Sequence, residues 1–146
     1  GYAALCGATF TPDLFKCAIS LCGPSNLITH LKSIPPYWKT YWAIERKRVG
    51  DPDKEAEFLK SRSPYFHVDR IKIPLLIGQG ANDPRVKREE SEQIVKALRE
   101  RGKEVEYLLF ENEGHGLLIQ KNRLKFYESA EKFLAKHLGG RYEEIE

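Results

Sequence analysis

Apolar residues fall along this chain in short blocks whose spacing changes from one stretch to the next. Residues 17–22, from Cys17 to Cys22, form a brief apolar run halted by Gly23-Pro24, the pattern of a strand buried on both faces. Residues 73–77 repeat it before a turn rich in glycine, and Val105–Phe110 makes a third such run. Over 89–101 the period becomes helical: Ile94, Ala97, Leu98 and Arg101 share a face, and Gly102 closes the segment. A last helix is predicted over 122–138, with Phe126, Ala130, Phe133, Leu134, His137 and Leu138 on one side and Gly139-Gly140 as its stop. The first part of the chain reads less sharply. Residues 1–9 are small and mildly apolar, like a tightly packed helix end that Thr11-Pro12-Asp13 breaks. Residues 25–50 are rich in aromatics without a clear period. A short helix is expected over 53–60, with Asp51 as its cap and Pro52 as a favourable first residue. Ser63-Pro64 then opens a further turn or short helical segment.

Apolar strands alternating with crossover helices describe an α/β fold, here a three-stranded parallel sheet flanked by helices. The leading helix has no strand to feed it, although a right-handed β-α-β connection requires one upstream. The expectation is therefore a partial α/β domain over residues 1–146 whose sheet continues before Gly1.

Composition narrows the function classes. The 146 residues carry 24 Lys and Arg against 21 Asp and Glu, a net charge of +3. The two signs are interspersed, and the densest basic run, residues 45–48, lacks the module a nucleic-acid site would need, so none is expected. Cys6, Cys17 and Cys22 are too few for a disulfide scaffold and lack the close pairs of a zinc site. They read as small buried hydrophobes in a reducing, cytoplasmic compartment. No apolar run reaches the roughly 18 residues of a membrane span, and no charged segment precedes the first apolar stretch as in a signal peptide. The four histidines are scattered without ligand spacing, so neither a metal nor a cofactor is expected.

Chemistry concentrates where ligands sit in open α/β sheets, beyond the carboxyl ends of the strands. Two loops there stand out: Gly78-Gln79-Gly80-Ala81-Asn82-Asp83-Pro84-Arg85-Val86 and Glu111-Asn112-Glu113-Gly114-His115-Gly116. A carboxylate after one strand and an imidazole after the next can meet across the sheet top, where an Asp orients a His and stabilises its protonated form. The plainer reading makes Asp83 a turn cap before Pro84 and His115 a solvated loop residue. His30, His67 and His137 have weaker contexts, and His137 is expected to pack on the last helix. Tyr37, Trp38, Tyr41 and Trp42 either line an apolar pocket near the same rim or pack as a satellite of the core, the latter being favoured. Cys22 and Asn26, just past the first strand, are candidate substrate neighbours.

Taken together, Gly1-Tyr2-Ala3, Ser63-Pro64, Ile73-Pro74-Leu75-Leu76-Ile77, the Asp83-Pro84-Arg85-Val86 turn and Glu113-Gly114-His115-Gly116 resemble the prolyl oligopeptidase family of serine peptidases, particularly its acylaminoacyl-peptidase-like branch. The likeness runs through almost the whole chain. It implies an α/β-hydrolase, of which this would be the C-terminal portion, with Asp83 as catalytic acid and His115 as catalytic base. Two positions depart from the family pattern: Gln79 stands where a His is usual, and Lys87 where a Pro is common. The resemblance also places the family's G-x-S-x-G-G-Y elbow so that its Ser would precede Gly1 by two or three positions. The chain alone is then expected to be inactive, because Ser20, Ser25, Ser61, Ser63 and Ser91 have no elbow context. The complete enzyme would hydrolyse short peptides or acyl-peptides, behind an upstream β-propeller. Other outcomes are a non-catalytic scaffold or binding protein built on the same fold, or a small-ester hydrolase. Finally, the 17–22 strand would lose its natural neighbour. Its edge is expected to be covered by self-association or by a complementary N-terminal fragment.

Overall fold

The computed structural model describes residues 1–144. Its centre is a parallel sheet of three strands, β1 (Ala18–Leu21), β2 (Leu75–Gly80) and β3 (Val105–Phe110), in the spatial order β1-β2-β3. Ser20 pairs with Ile77, and Ile77 with Tyr107, so the three carboxyl ends finish together on one side of the molecule. Helices α1 (Tyr2–Phe10), α2 (Leu27–Lys32), α3 (Lys39–Arg48), α4 (Ala56–Ser61), α5 (Arg88–Glu100) and α6 (Gln120–Leu138) surround it, with 3-10 turns at Pro36–Trp38 and Pro64–Arg70.

The middle strand shows why an unbroken apolar run suits this place. Leu75 and Ile77 face Leu5 and Ala8 of α1 and Ile94, Val95 and Leu98 of α5. Leu76, on the opposite face, packs against Ala130 and Phe133 of α6. With helices on both sides, no position of β2 can be polar without a partner, and all six residues are buried. Leu27, Leu31 and Leu59 make a smaller cluster that seats α2 and α4 beyond the end of β1.

Several boundaries differ from the sequence reading. The predicted strand over 73–77 starts two residues later and runs on through Gly78 and Gly80. The glycines belong in the strand because it is overlaid closely. A Cβ on Gly78 would meet the Phe126 ring at 2.7 Å, and one on Gly80 would meet the Gly114 carbonyl oxygen at 2.1 Å. The predicted 53–60 helix is shortened to Ala56–Ser61. Asp51 does cap, but it caps a turn: its carboxylate accepts from Asp53 N (2.9 Å) and its carbonyl from Glu55 N (2.7 Å), which closes the chain before the helix begins. On α6, Phe126, Ala130 and Phe133 are buried, whereas Leu134 and Leu138 are 37% and 60% exposed. At about 100° per residue these two lie well round the helix from the buried stripe. His137 packs as expected, edge-on to the Phe133 ring at 4.6 Å. Among the basic residues at the end of α3, Arg46 holds Asp51 and Asp53 at 2.6 Å each and stacks over Trp42. No helix among the described residues is long and apolar enough to cross a membrane.

Candidate active site

Two of the three strands end in loops that bring one polar side chain each to the same place. β3 leads to His115, and β2 to Asp83. Asp83 is fully buried while the His115 side chain is 36% exposed, and His115 Nδ1 lies 2.7 Å from Asp83 Oδ2. An ionised carboxylate only accepts, so Nδ1 is the donor of this bond, and in the neutral imidazole that leaves Nε2 with its lone pair. The other oxygen, Asp83 Oδ1, accepts from Arg85 N (2.8 Å) and Val86 N (2.9 Å). Thus Asp83 does close the turn before the helix, as the plainer reading had it, and also meets His115.

The two loops are locked together by backbone contact. Ala81 N donates to the Phe110 carbonyl and Asn82 N to the Glu113 carbonyl, both at 2.9 Å. This tight apposition is what Gly80 permits. Behind the acid turn, Gln79 is fully buried; its amide donates to the Gly80 and Val86 carbonyls at 3.0 Å and accepts from Ser91 Oγ at 2.8 Å. The departure from the family pattern at this position is therefore a brace for the turn. Lys87 lies just before α5, its carbonyl accepting from Glu90 N.

Two buried carboxylates escaped the sequence reading. Burial works against the charged form of Glu113, yet bonds from Asn122 Nδ2 (3.0 Å), Ile119 N (2.9 Å) and Leu118 N (3.1 Å) outweigh it and hold its carboxyl below the usual range. These bonds fasten the chain that leaves His115 onto α6. Glu90 projects from the first turn of α5 and accepts from Ser25 N (3.0 Å), Asn26 N (2.9 Å) and the Thr29 hydroxyl. Here burial prevails and raises the carboxyl above its ordinary value, against those hydrogen bonds. The signal in the sequence was slight: an acid early in a helix is expected for helix-dipole reasons alone.

A cleft of about 290 Å³ opens beside His115, lined also by Arg85, Trp38, Tyr41, His30 and Tyr2. The aromatic stretch therefore does not pack as a core satellite. α3 buries none of its residues, Tyr37 is 78% exposed, and Trp38 and Tyr41 meet edge-to-face at 5.8 Å on the cleft wall. The physical reason is that α2 and α4 supply the satellite cluster themselves. Cys22 also reaches the cleft, but Asn26 does not line it: its carboxamide oxygen caps α2 by accepting from Ile28 N at 3.1 Å. His30 has little local signal in the sequence, yet burial keeps it below the ordinary histidine range and its Nδ1 is buried without a partner. His67 stands apart, against Phe10.

No metal-ligand spacing is visible along the chain, but the fold brings three residues with ligand atoms together. Cys22 Sγ, an Asp83 carboxylate oxygen and a His115 ring nitrogen lie within 4.8 Å of one another. Every serine hydroxyl, by contrast, is committed elsewhere. Ser20, Ser25, Ser33, Ser61, Ser63 and Ser129 donate to backbone carbonyls, and Ser91 donates to Gln79.

Comparison with known proteins places the family and the fold. The family model described as the prolyl oligopeptidase family matches residues 1–141. Dipeptidyl aminopeptidase BIII of Pseudoxanthomonas mexicana is 52% identical over 147 residues, covering 99% of this chain and 21% of that protein. A puromycin-hydrolyzing peptidase of Mycobacterium tuberculosis superposes with a TM-score of 0.87 at 30% identity, over 97% of this chain and 21% of that one. The acylaminoacyl peptidase of Pyrococcus horikoshii gives 0.83 at 27% identity, over 99% and 23%. These neighbours are α/β-hydrolase peptidases, and the chain spans about a fifth of their length.

Proposed function

The chain belongs to the prolyl oligopeptidase family, and from that premise we propose that it supplies the acid and base of a Ser-Asp-His triad that hydrolyses peptide or acyl-peptide bonds. The observation that carries this is the 2.7 Å contact between buried Asp83 and half-exposed His115 at the edge of a cleft. His115 Nε2 takes the proton from an attacking serine and later delivers it to the leaving amine. Asp83 holds the ring in the required tautomer and stabilises the imidazolium. Because the serine hydroxyls of this chain are otherwise engaged, the nucleophile and its oxyanion donors come from outside residues 1–146. The cleft, with Trp38 and Tyr41 on its wall, favours a short peptide carrying an apolar side chain. Three free cysteines favour a reducing, cytoplasmic setting.

The test is a comparison of the protein that includes the upstream segment with the 146-residue chain, on dipeptidyl and acyl-aminoacyl chromogenic substrates. The longer protein is expected to turn over and the short chain to show none. Substituting His115→Gln in the longer protein should lower kcat about 10³-fold or more. Serine-hydrolase turnover by the short chain would sink the external nucleophile.

A further inference from the structure

We propose that Cys22, Asp83 and His115 form a binding site for a thiophilic divalent cation, with Zn²⁺ as its type. The three ligand atoms lie within 4.8 Å of one another although their residues are spread over most of the chain. Tetrahedral zinc with ordinary Zn–S and Zn–N/O bonds has ligand–ligand edges of roughly 3.3–3.8 Å. The three atoms therefore need only a modest adjustment, in which the Asp83–His115 pair, now 2.7 Å apart, opens, and His115, the most exposed of the three, is the one free to move.

The donor set has the right chemistry. Thiolate, imidazole and carboxylate are all zinc ligands, and the two anions neutralise the charge of the ion. The site is held from behind. Cys22 N donates to the Gly78 carbonyl at 2.9 Å, and Asp83 is fixed by Arg85 N and Val86 N. Cys22 also sits at φ 48°, a left-handed conformation uncommon outside glycine, which turns its side chain away from the line of β1. The cleft gives access for the ion and for water in the fourth position. On binding, the Cys22 thiol releases its proton to solvent while Asp83 and neutral His115 each donate a lone pair. Coordination through His115 Nδ1 displaces the ring proton, which passes through solvent to Nε2, and the Asp83–His115 hydrogen bond is given up. Binding stands without the proposed function; that it would switch off hydrolysis rests on that reading.

The test uses the 146-residue chain with Co²⁺ and Zn²⁺. Co²⁺ is expected to give a thiolate-to-metal charge-transfer band at one ion per chain, and Zn²⁺ to displace it. Cys22→Ser should remove the band and weaken Zn²⁺ binding by about 100-fold or more, since even indirect supports of a site are worth 10–100-fold. Cys6→Ser and Cys17→Ser should leave both unchanged. His115→Gln, altering a half-exposed side chain, should weaken binding with circular dichroism unaltered, so the question survives if Cys22→Ser fails to fold. A band kept in Cys22→Ser, or lost only in Cys6→Ser or Cys17→Ser, overturns the site, as does Zn²⁺ affinity indifferent to His115→Gln. In the longer protein, binding with no effect on hydrolysis would uphold the site and overturn the triad reading.

Discussion

Asp83 gives one oxygen to two backbone N–H groups and the other to His115, and the two duties can be separated. Asp83→Asn keeps an oxygen for the turn but presents an amide where an acceptor is needed. In the longer protein it is expected to lower kcat by about 10⁴ while the melting temperature changes little; a large loss of stability would mean the side chain serves mainly the turn. Glu90 does its work through the backbone of another element. Glu90→Ala would strand the N–H groups of Ser25 and Asn26 in a buried setting, for an expected loss of about 3 kcal/mol by urea titration. Its titration has a definite sign. The folded-state value lies above the unfolded value of about 4.3, so the folded state binds the extra proton. The contribution is fully present below that pH and is lost as pH rises through the folded value. The stability of the native chain relative to Glu90→Gln should therefore decline as pH is raised from about 4, and a flat difference would refute the shift. Asp83 was legible in the sequence as a turn cap, but Glu90 was not legible as a brace, because its partners lie more than 60 positions away and two of them are backbone groups that every residue has.

Among the elements, β2 carries the most constraint. Its glycines lie under Phe126 and against Gly114, at distances that no Cβ can share. Gly80→Ala must move one of two backbone segments, and the site with it. The expected cost is about 3 kcal/mol or more in chemical unfolding; a loss under 1 kcal/mol would show the His115 loop to be free to yield. The apolar run at 73–77 announced a strand, but its end was hidden because glycine ordinarily signals a turn. Here the signal that mattered was the aromatic ring lying over it from α6. The 53–60 helix failed for the converse reason. Asp51 and Pro52 do start a turn, but the bonds made by Asp51 close it before a helix can propagate.

For the whole molecule, the sheet order leaves β1 with an outer side that no strand pairs among the described residues. Part of that side is taken by Gly1, whose backbone packs against Gly23 and accepts from Ser20 Oγ at 3.2 Å. The rest is an open row of backbone groups beside a half-buried strand, and we propose that a second copy or a complementary N-terminal segment covers it. The isolated chain is then expected to sediment as a dimer or larger, and adding the upstream segment should shift it toward a single complex. A monodisperse monomer at high concentration would tell against this. The order of strands and helices, the α/β class and the two loops bearing Asp83 and His115 were all determined by the sequence alone. Each is a local pattern: an apolar run, a helical period, a polar stretch directly after a strand. Only the tertiary structure decided what stands beside that pair: Cys22 and His30, the aromatic wall of Trp38 and Tyr41, and the Glu90 brace. Those meetings depend on which strands are neighbours and in what register, and hydrophobic periodicity along one chain carries no record of either.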